Sequence, residues 1–337
     1  MTTAVHSRST TSRRAVWRWA RVAIAAATLA VVVWRVGTGP FLDGLRTIDG
    51  RALAAATVLA VLTTVSCAWR WKVVARGLGV ELPLGTAVAA YYRSLFLNVT
   101  LPGGVVGDVH RGISHGRNTN DVVRGLRAVA WERAAGQAVQ MVLTVAVLLV
   151  MPSPVRSAMP LVGVALLAAA VGVGLVAYVQ PAVRRSWWAR LHCRAARDLR
   201  HSLLARRAWP AVVLASALVV AGHVVTFLIA ARTAGVTAPV SRMLPLALLV
   251  LAGAALPNIG GWGPREGVTA WAFAAAGLGA SLGVATAVVY GVMVFVASLP
   301  GAAVLLVAWL QRDEPAPRRE RRPRTSRPRV REEPSDA

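Results

Sequence analysis

The sequence predicts an all-α fold, a polytopic membrane helix bundle with two re-entrant, Gly/Pro-broken helical hairpins. Three observations carry this expectation. The 337 residues are 56% hydrophobic with a mean hydropathy of +0.55, which suits a bilayer and not a soluble globule. Apolar runs of spanning length recur almost from end to end. Each half also holds one apolar stretch interrupted by Gly and Pro. The first contains Asn98, Leu101-Pro102-Gly103-Gly104, Gly107-Asp108 and Arg111, and the second Pro257, Gly260-Gly261, Gly263-Pro264 and Arg265-Glu266. Broken apolar segments at corresponding places in two halves point to a transporter's binding site.

The formal net charge is +24, and Lys72 is the only lysine. The arginines cluster between apolar runs, where they mark cytoplasmic faces, so no nucleic-acid partner is expected. Cys67 lies in an apolar run and Cys193 in a basic one, which implies no disulfide framework. The expected organisation is a disordered N-terminus over residues 1–15, one transmembrane domain over 16–311, and a disordered basic cytoplasmic tail over 312–337.

Taken in order, Ser12-Arg13-Arg14 and the apolar residues 22–33 are similar to a twin-arginine export signal. No cleavage site follows and further spans do, so the segment reads as a retained helix over 16–36, its arginines holding the N-terminus inside. A nearly neutral external loop precedes a second span over 52–71, which returns to Arg70, Lys72 and Arg76 at the cytoplasmic face. Residues 84–97 are too short to cross. Within them, Tyr91 and Tyr92 read first as interfacial anchors. After the first broken stretch come Arg111, His115, Arg117, Arg124 and Arg127, so this hairpin is expected to enter from the inside. A span over 128–151 begins with Trp131-Glu132-Arg133. Its Arg133, Gly136, Gln137 and Gln140 share one helical face, a polar stripe suited to a cavity.

A span over 159–179 leads to an arginine-rich segment, 184–207, interleaved with Trp187, Trp188, Leu191, Leu199 and Leu203. That pattern predicts an amphipathic helix on the inner leaflet, with anionic lipids as partners. The span over 209–231 carries His223, which reads as a packing histidine. The short run 243–256 ends at the second broken stretch, 267–276 forms its return arm, and 282–310 is the last span. With a cytoplasmic tail the second hairpin enters from outside, opposite to the first, as an inverted-topology repeat would produce.

Both breaks have the same chemistry. Pro removes a backbone donor and Gly-Gly permits conformations other residues avoid, so one helix stops and another begins inside the membrane. The new helix directs free N–H groups and a positive dipole end into the interior, which suits a phosphate. Asp108 and Arg111 fall on one face, able to pair together or to hold an amine and a phosphate separately. Arg265-Glu266 repeats these charge types after Pro264, a residue favoured in a first helical turn. The plainer alternative is two internal ion pairs that fix helix packing. Two kinks followed by the same charges favour a functional cavity. Glu132 and Arg133 fit an interfacial pair at a helix entrance equally well. His110 and His115 lie off one face without a cysteine cluster, so no metal site is expected, and the absence of a P-loop argues against direct ATP use. No cofactor is implied.

At these residues the chain resembles the lysylphosphatidylglycerol synthase transmembrane, or flippase-like, family, the membrane half of the bacterial multiple peptide resistance factors. Asn98, Leu101 through Gly104, Gly107-Asp108, Arg111, Glu132-Arg133, Pro257, Gly260-Gly261, Gly263 and Arg265-Glu266 carry the resemblance. It implies a lipid translocase that moves aminoacylated or related phospholipids from the inner to the outer leaflet. The candidate substrate-binding residues are Asn98, Pro102, Gly103, Gly104, Asp108, Arg111, Glu132, Arg133, Gly260, Gly261, Arg265 and Glu266. Val106 stands where the family often has a further glycine. Residues 318–337 read as a tail and not as an aminoacyl-transferase domain, so lysine transfer is not expected. Two alternatives stay open: a membrane transferase using Glu132 or Asp108 as base, and a scaffold for a separately encoded lipid-modifying enzyme. Such an enzyme, or a second copy of the chain, is a candidate partner beside the phospholipid or lipid-linked substrate.

Overall fold

The computed structural model describes residues 49–101, 104–178, 187–254 and 264–310. The expected first span, the N-terminus and the tail lie outside the described residues, as do Pro102, Gly103, Gly260 and Gly261. The described chain is all α, with no strand among the described residues. In order it forms α1 (Gly50–Gly77), α2 (Leu84–Thr100), α3 (Val106–Asn118), α4 (Val122–Val150), α5 (Met159–Tyr178), α6 (Trp187–Asp198), α7 (Trp209–Thr233), α8 (Val240–Gly253), α9 (Pro264–Ala275) and α10 (Ala280–Leu310). Five segments are long and apolar enough to cross a membrane: α1, α4, Arg156–Leu175 (α5 with the turn before it), α7 and α10. The protein is a polytopic membrane bundle.

Local chemistry sets the helix starts. Asp49 caps α1 by accepting from the Arg51 N–H at 3.2 Å, and Asp121 caps α4 by accepting from Arg124 at 2.9 Å. That second cap, after a turn in which Asn120 takes φ 54°, starts α4 six residues before the hydropathy alone suggests. At the periphery, α5 exposes Leu161, Val164 and Leu167, as a lipid-facing helix does.

The order long, short, short, long occurs twice, as α1 to α4 and as α7 to α10. The central helices α1 and α7 run antiparallel. Arg70 on α1 reaches Ser216 on α7, while Thr63, further back on α1, lies beside Gly222, further along α7. The halves also correspond residue by residue. Asp108 and Glu266 are each the third residue of a return helix, α3 and α9. Gly125 and Gly283 are each the fourth residue of the long helix that follows. One constant separation in residue number relates both pairs. A Cβ on Gly125 would come within 2.4 Å of the Gly112 carbonyl on α3, and one on Gly283 within 2.7 Å of the Thr269 carbonyl on α9. Small residues let helices approach this closely, and in lipid such packing takes over the role that the hydrophobic effect has in water.

Each half has its own apolar core. Beneath the first hairpin are Trp71, Ala75, Val80, Leu82, Tyr91 and Val129. Around the second, Phe227 meets Phe273 and Tyr290 edge-on at 6.4 and 5.8 Å between ring centroids, packed with Met243, Leu246 and Met293.

Candidate functional site

The site starts from a close contact between α2 and α3. A Cβ on Gly107 would sit 2.0 Å from the Ser94 carbonyl oxygen, so only glycine allows α3 to begin against α2. Asn98 then bridges the two helices. Its Oδ1 accepts from the Gly107 N–H and its Nδ2 donates to Asp108 Oδ2, both at 2.8 Å. The otherwise unpaired N–H groups of a helix start make this a natural acceptor position. Ser94 Oγ donates to Asp108 Oδ1 at 3.1 Å. Arg111 Nη2 approaches the same oxygen at 3.0 Å, and Arg133 Nη2 from α4 donates to Oδ2.

Glu132 is the hub of the site. Wholly buried on α4, its Oε1 accepts from Arg70 Nε at 2.9 Å, Arg70 Nη2 at 2.6 Å and Tyr91 Oη at 2.9 Å, and its Oε2 accepts from Arg111 Nη2 at 3.0 Å. Arg70 continues to Ser216 Oγ on α7 through Nη1 at 2.9 Å. It can cross α4 because residue 136 has no side chain: a Cβ there would lie 2.8 Å from the Arg70 guanidinium. Arg111 is sealed, with Cζ 4.0 Å from the Tyr91 ring centroid and 4.5 Å from that of Trp71. Its Nε and Nη1 have no hydrogen-bond partner among the described residues, and the ring faces take that place. Five charged side chains, Arg70, Asp108, Arg111, Glu132 and Arg133, thus form one network from three helices. Mutual pairing offsets much of the cost of burying these charges.

Beside the network lies a cavity of about 490 Å³ between α1, α4, α7 and α10, with α2 and α8 at its sides. Arg133, Gly136, Gln137 and Gln140 all line it, as the spacing of the polar stripe suggested. Arg70, Tyr91, Ser216, His223 and Tyr290 add to its polar wall, and Gly104 reaches its edge. The exposure of the guanidiniums separates their roles: the Arg133 side chain is 42% accessible, Arg70 7% and Arg111 none.

The second hairpin borders this cavity through Leu251 and Ala254 at the end of α8, and its charged pair approaches through the Tyr290 ring of α10. Arg265 donates to Glu266 Oε1 from Nε at 2.9 Å and from Nη2 at 2.5 Å, and its Cζ lies 5.3 Å from the Tyr290 ring centroid. Tyr290 in turn forms a 3.2 Å hydrogen bond with His223 Nδ1. Neither Arg265 nor Glu266 is on the cavity wall.

Several members of this site were not evident from the sequence. Arg70 reads there as a cytoplasmic-face marker, and the structure instead buries it at 6% exposure against Glu132. Tyr91 reads as an interfacial anchor and is a buried hydrogen-bond donor to the same carboxylate. Ser94, Ser216 and Tyr290 carry no local signal, since each meets its partner only across a helix interface. His223 has a specific partner in Tyr290.

A family model of the lysylphosphatidylglycerol synthase transmembrane region matches residues 18–301. The chain belongs to that family. The match takes in both hairpins, the charge network and all but the last turns of α10. A search of curated protein sequences finds no significant match. Within the lysylphosphatidylglycerol synthase transmembrane-region family, then, this chain places Asn98, Asp108, Arg111, Glu132 and Arg133 in one network and Arg265 with Glu266 in a second pair.

Proposed function

We propose that this protein is a lipid translocase that moves a phospholipid or lipid-linked headgroup between leaflets through the cavity between its two hairpins. One observation carries the reading: a cavity of about 490 Å³ with two arginines, two glutamines and a serine on its wall, bordered by four helices apolar enough to span, α1, α4, α7 and α10. Charged groups inside a membrane are expensive, roughly 2.5–3.5 kcal/mol each on insertion scales, and typically mark a substrate path. The antiparallel α1 and α7 support two hairpins entering from opposite sides, the geometry by which a repeat protein alternates access. In this reading the hairpins are re-entrant, the termini are cytoplasmic in a cell membrane, and the arginines of α6 and the segment after it rest on anionic inner-leaflet lipids.

A transferase reading is disfavoured by the hydrogen bonds. A general base needs a lone pair facing substrate, while Asp108 and Glu132 are occupied by guanidinium, hydroxyl and amide donors and neither is on the cavity wall.

The test is reconstitution in liposomes with a fluorescent phospholipid, scoring its exchange between leaflets by quenching from outside. The protein is expected to speed exchange over empty liposomes, and Glu132→Gln to abolish the gain at equal incorporation. Exchange no faster than in empty liposomes for anionic, zwitterionic and aminoacylated lipids alike would defeat the proposal.

A further inference from the structure

We infer that the cavity selects an anionic headgroup, a phosphate diester held by Arg133 with Arg70 beside it, over zwitterionic and cationic ones. This rests on reading the cavity as the lipid headgroup's site, and it adds which lipid class enters.

The first argument is charge balance. The network contains three guanidiniums, Arg70, Arg111 and Arg133, and two carboxylates, Asp108 and Glu132. Among the described residues one positive charge is in excess. Arg265 and Glu266 pair with each other and leave the excess unchanged. The two segments outside the described residues that border the hairpins, Pro102-Gly103 and 255–263, contain no ionisable side chain. An unneutralised guanidinium in a membrane calls for an anionic partner.

The second argument is where that excess faces. Arg111 is enclosed by two aromatic rings and inaccessible. Arg70 lines the cavity, yet its three nitrogens are already engaged by Glu132 and Ser216. Arg133 donates to Asp108 through Nη2 alone, and its Nε and Nη1 form no hydrogen bond among the described residues. It is also the most accessible of the three and stands on the wall. A guanidinium edge open to a cavity matches a phosphate's two oxygens. One and two turns further along the same face, Gln137 and Gln140 offer neutral amides, suited to hydroxyl groups next to the phosphate.

The third argument is what the wall lacks. Among the described residues that line the cavity there is no carboxylate. Asp108 and Glu132 sit behind the arginines they neutralise, and Glu266 is held by Arg265. An ammonium headgroup entering this space meets two guanidiniums and no counter-charge. The volume lies within the roughly 300–1,000 Å³ typical of small-molecule sites.

The experiment is calorimetric titration of the purified full chain in neutral detergent with four probes: dihexanoyl phosphatidylglycerol, dihexanoyl phosphatidylcholine, a short-chain lysyl-phosphatidylglycerol and inorganic phosphate. Phosphatidylglycerol is expected to bind about tenfold or more tightly than the choline and lysyl lipids, and to weaken as salt rises. Arg133→Gln should weaken it by about tenfold at an unchanged melting temperature, with Arg133→Lys recovering part of the loss. Equal affinities for phosphatidylglycerol and phosphatidylcholine, tighter binding of the lysyl lipid, or an unaffected Arg133→Gln protein would each overturn the inference. Inorganic phosphate binding as tightly as phosphatidylglycerol would overturn the lipid as the source of the anion. Selective binding without exchange in liposomes would sustain the selectivity and remove the translocase.

Discussion

The two hairpins share a scaffold and differ in chemistry. In each, a return helix carries a carboxylate at its third residue and packs on the fourth residue of a long helix, a glycine, as Asp108 with Gly125 and Glu266 with Gly283 show. The eleventh residue of that long helix is Glu132 in the first half and Tyr290 in the second. Glu132 gathers Arg70, Arg111 and Tyr91 into a charged hub. Tyr290 offers a ring to Arg265 and a hydroxyl to His223. The halves therefore differ at the hub and around it, since at the same separation Arg111 and Arg133 correspond to Thr269 and Gly291: charges join three helices in the first half, and a ring joins them by packing in the second. Backbone contacts between glycine and return helix maintain the repeat, while side chains at the hub assign each half its task.

The sharpest way to break this comparison is to empty the first hub. Glu132→Ala leaves the buried Arg70 with no carboxylate and Arg111 with Asp108 alone, an imbalance worth about 3–5 kcal/mol. A large drop in melting temperature in detergent is the expected outcome, and a stable protein would show that the hub is not structural. Next comes the start of the first return helix. Gly107→Ala drives a Cβ into the Ser94 carbonyl, and a loss of about 3 kcal/mol is expected because the obstacle is backbone, read as melting temperature and monodisperse yield. The matching test in the second half is Tyr290→Phe. It removes the His223 hydrogen bond and retains the ring under Arg265, so a loss of about 1 kcal/mol is expected. A loss as large as that of Glu132→Ala would mean that the halves are chemically alike. The smallest effect is Gly267→Ala on α9, where no atom lies within 4 Å of the added Cβ. Its helix propensity predicts no loss and a gain of at most about 1 kcal/mol, in contrast to Gly107.

Much of the scaffold is legible in local pattern. The expected segment 84–97 is α2 (Leu84–Thr100), the return arm expected over 267–276 is α9 (Pro264–Ala275), and the pairs Asp108 with Arg111 and Arg265 with Glu266 both form. The cavity face of α4 follows from helical period alone. Arg70 is the instructive contrast. Near the end of an apolar run and next to Trp71 and Lys72, it has the sequence environment of a cytoplasmic anchor, and only the crossing of α1 over the gap at Gly136 brings it to Glu132. Tyr91 is similar, since its place beside Arg93 suggests an interface while the α1 and α4 side chains around it create a buried site.

The sequence by itself determined where helices begin, break and cross, because hydropathy, capping and Gly/Pro chemistry act over a few consecutive residues. Only the tertiary structure decided which charges meet across helices, bringing Arg70, Tyr91 and Arg111 together on Glu132. Those pairings depend on distances of about 3 Å between residues far apart in the chain, and the fall of Coulomb energy with distance gives no trace of them in local pattern.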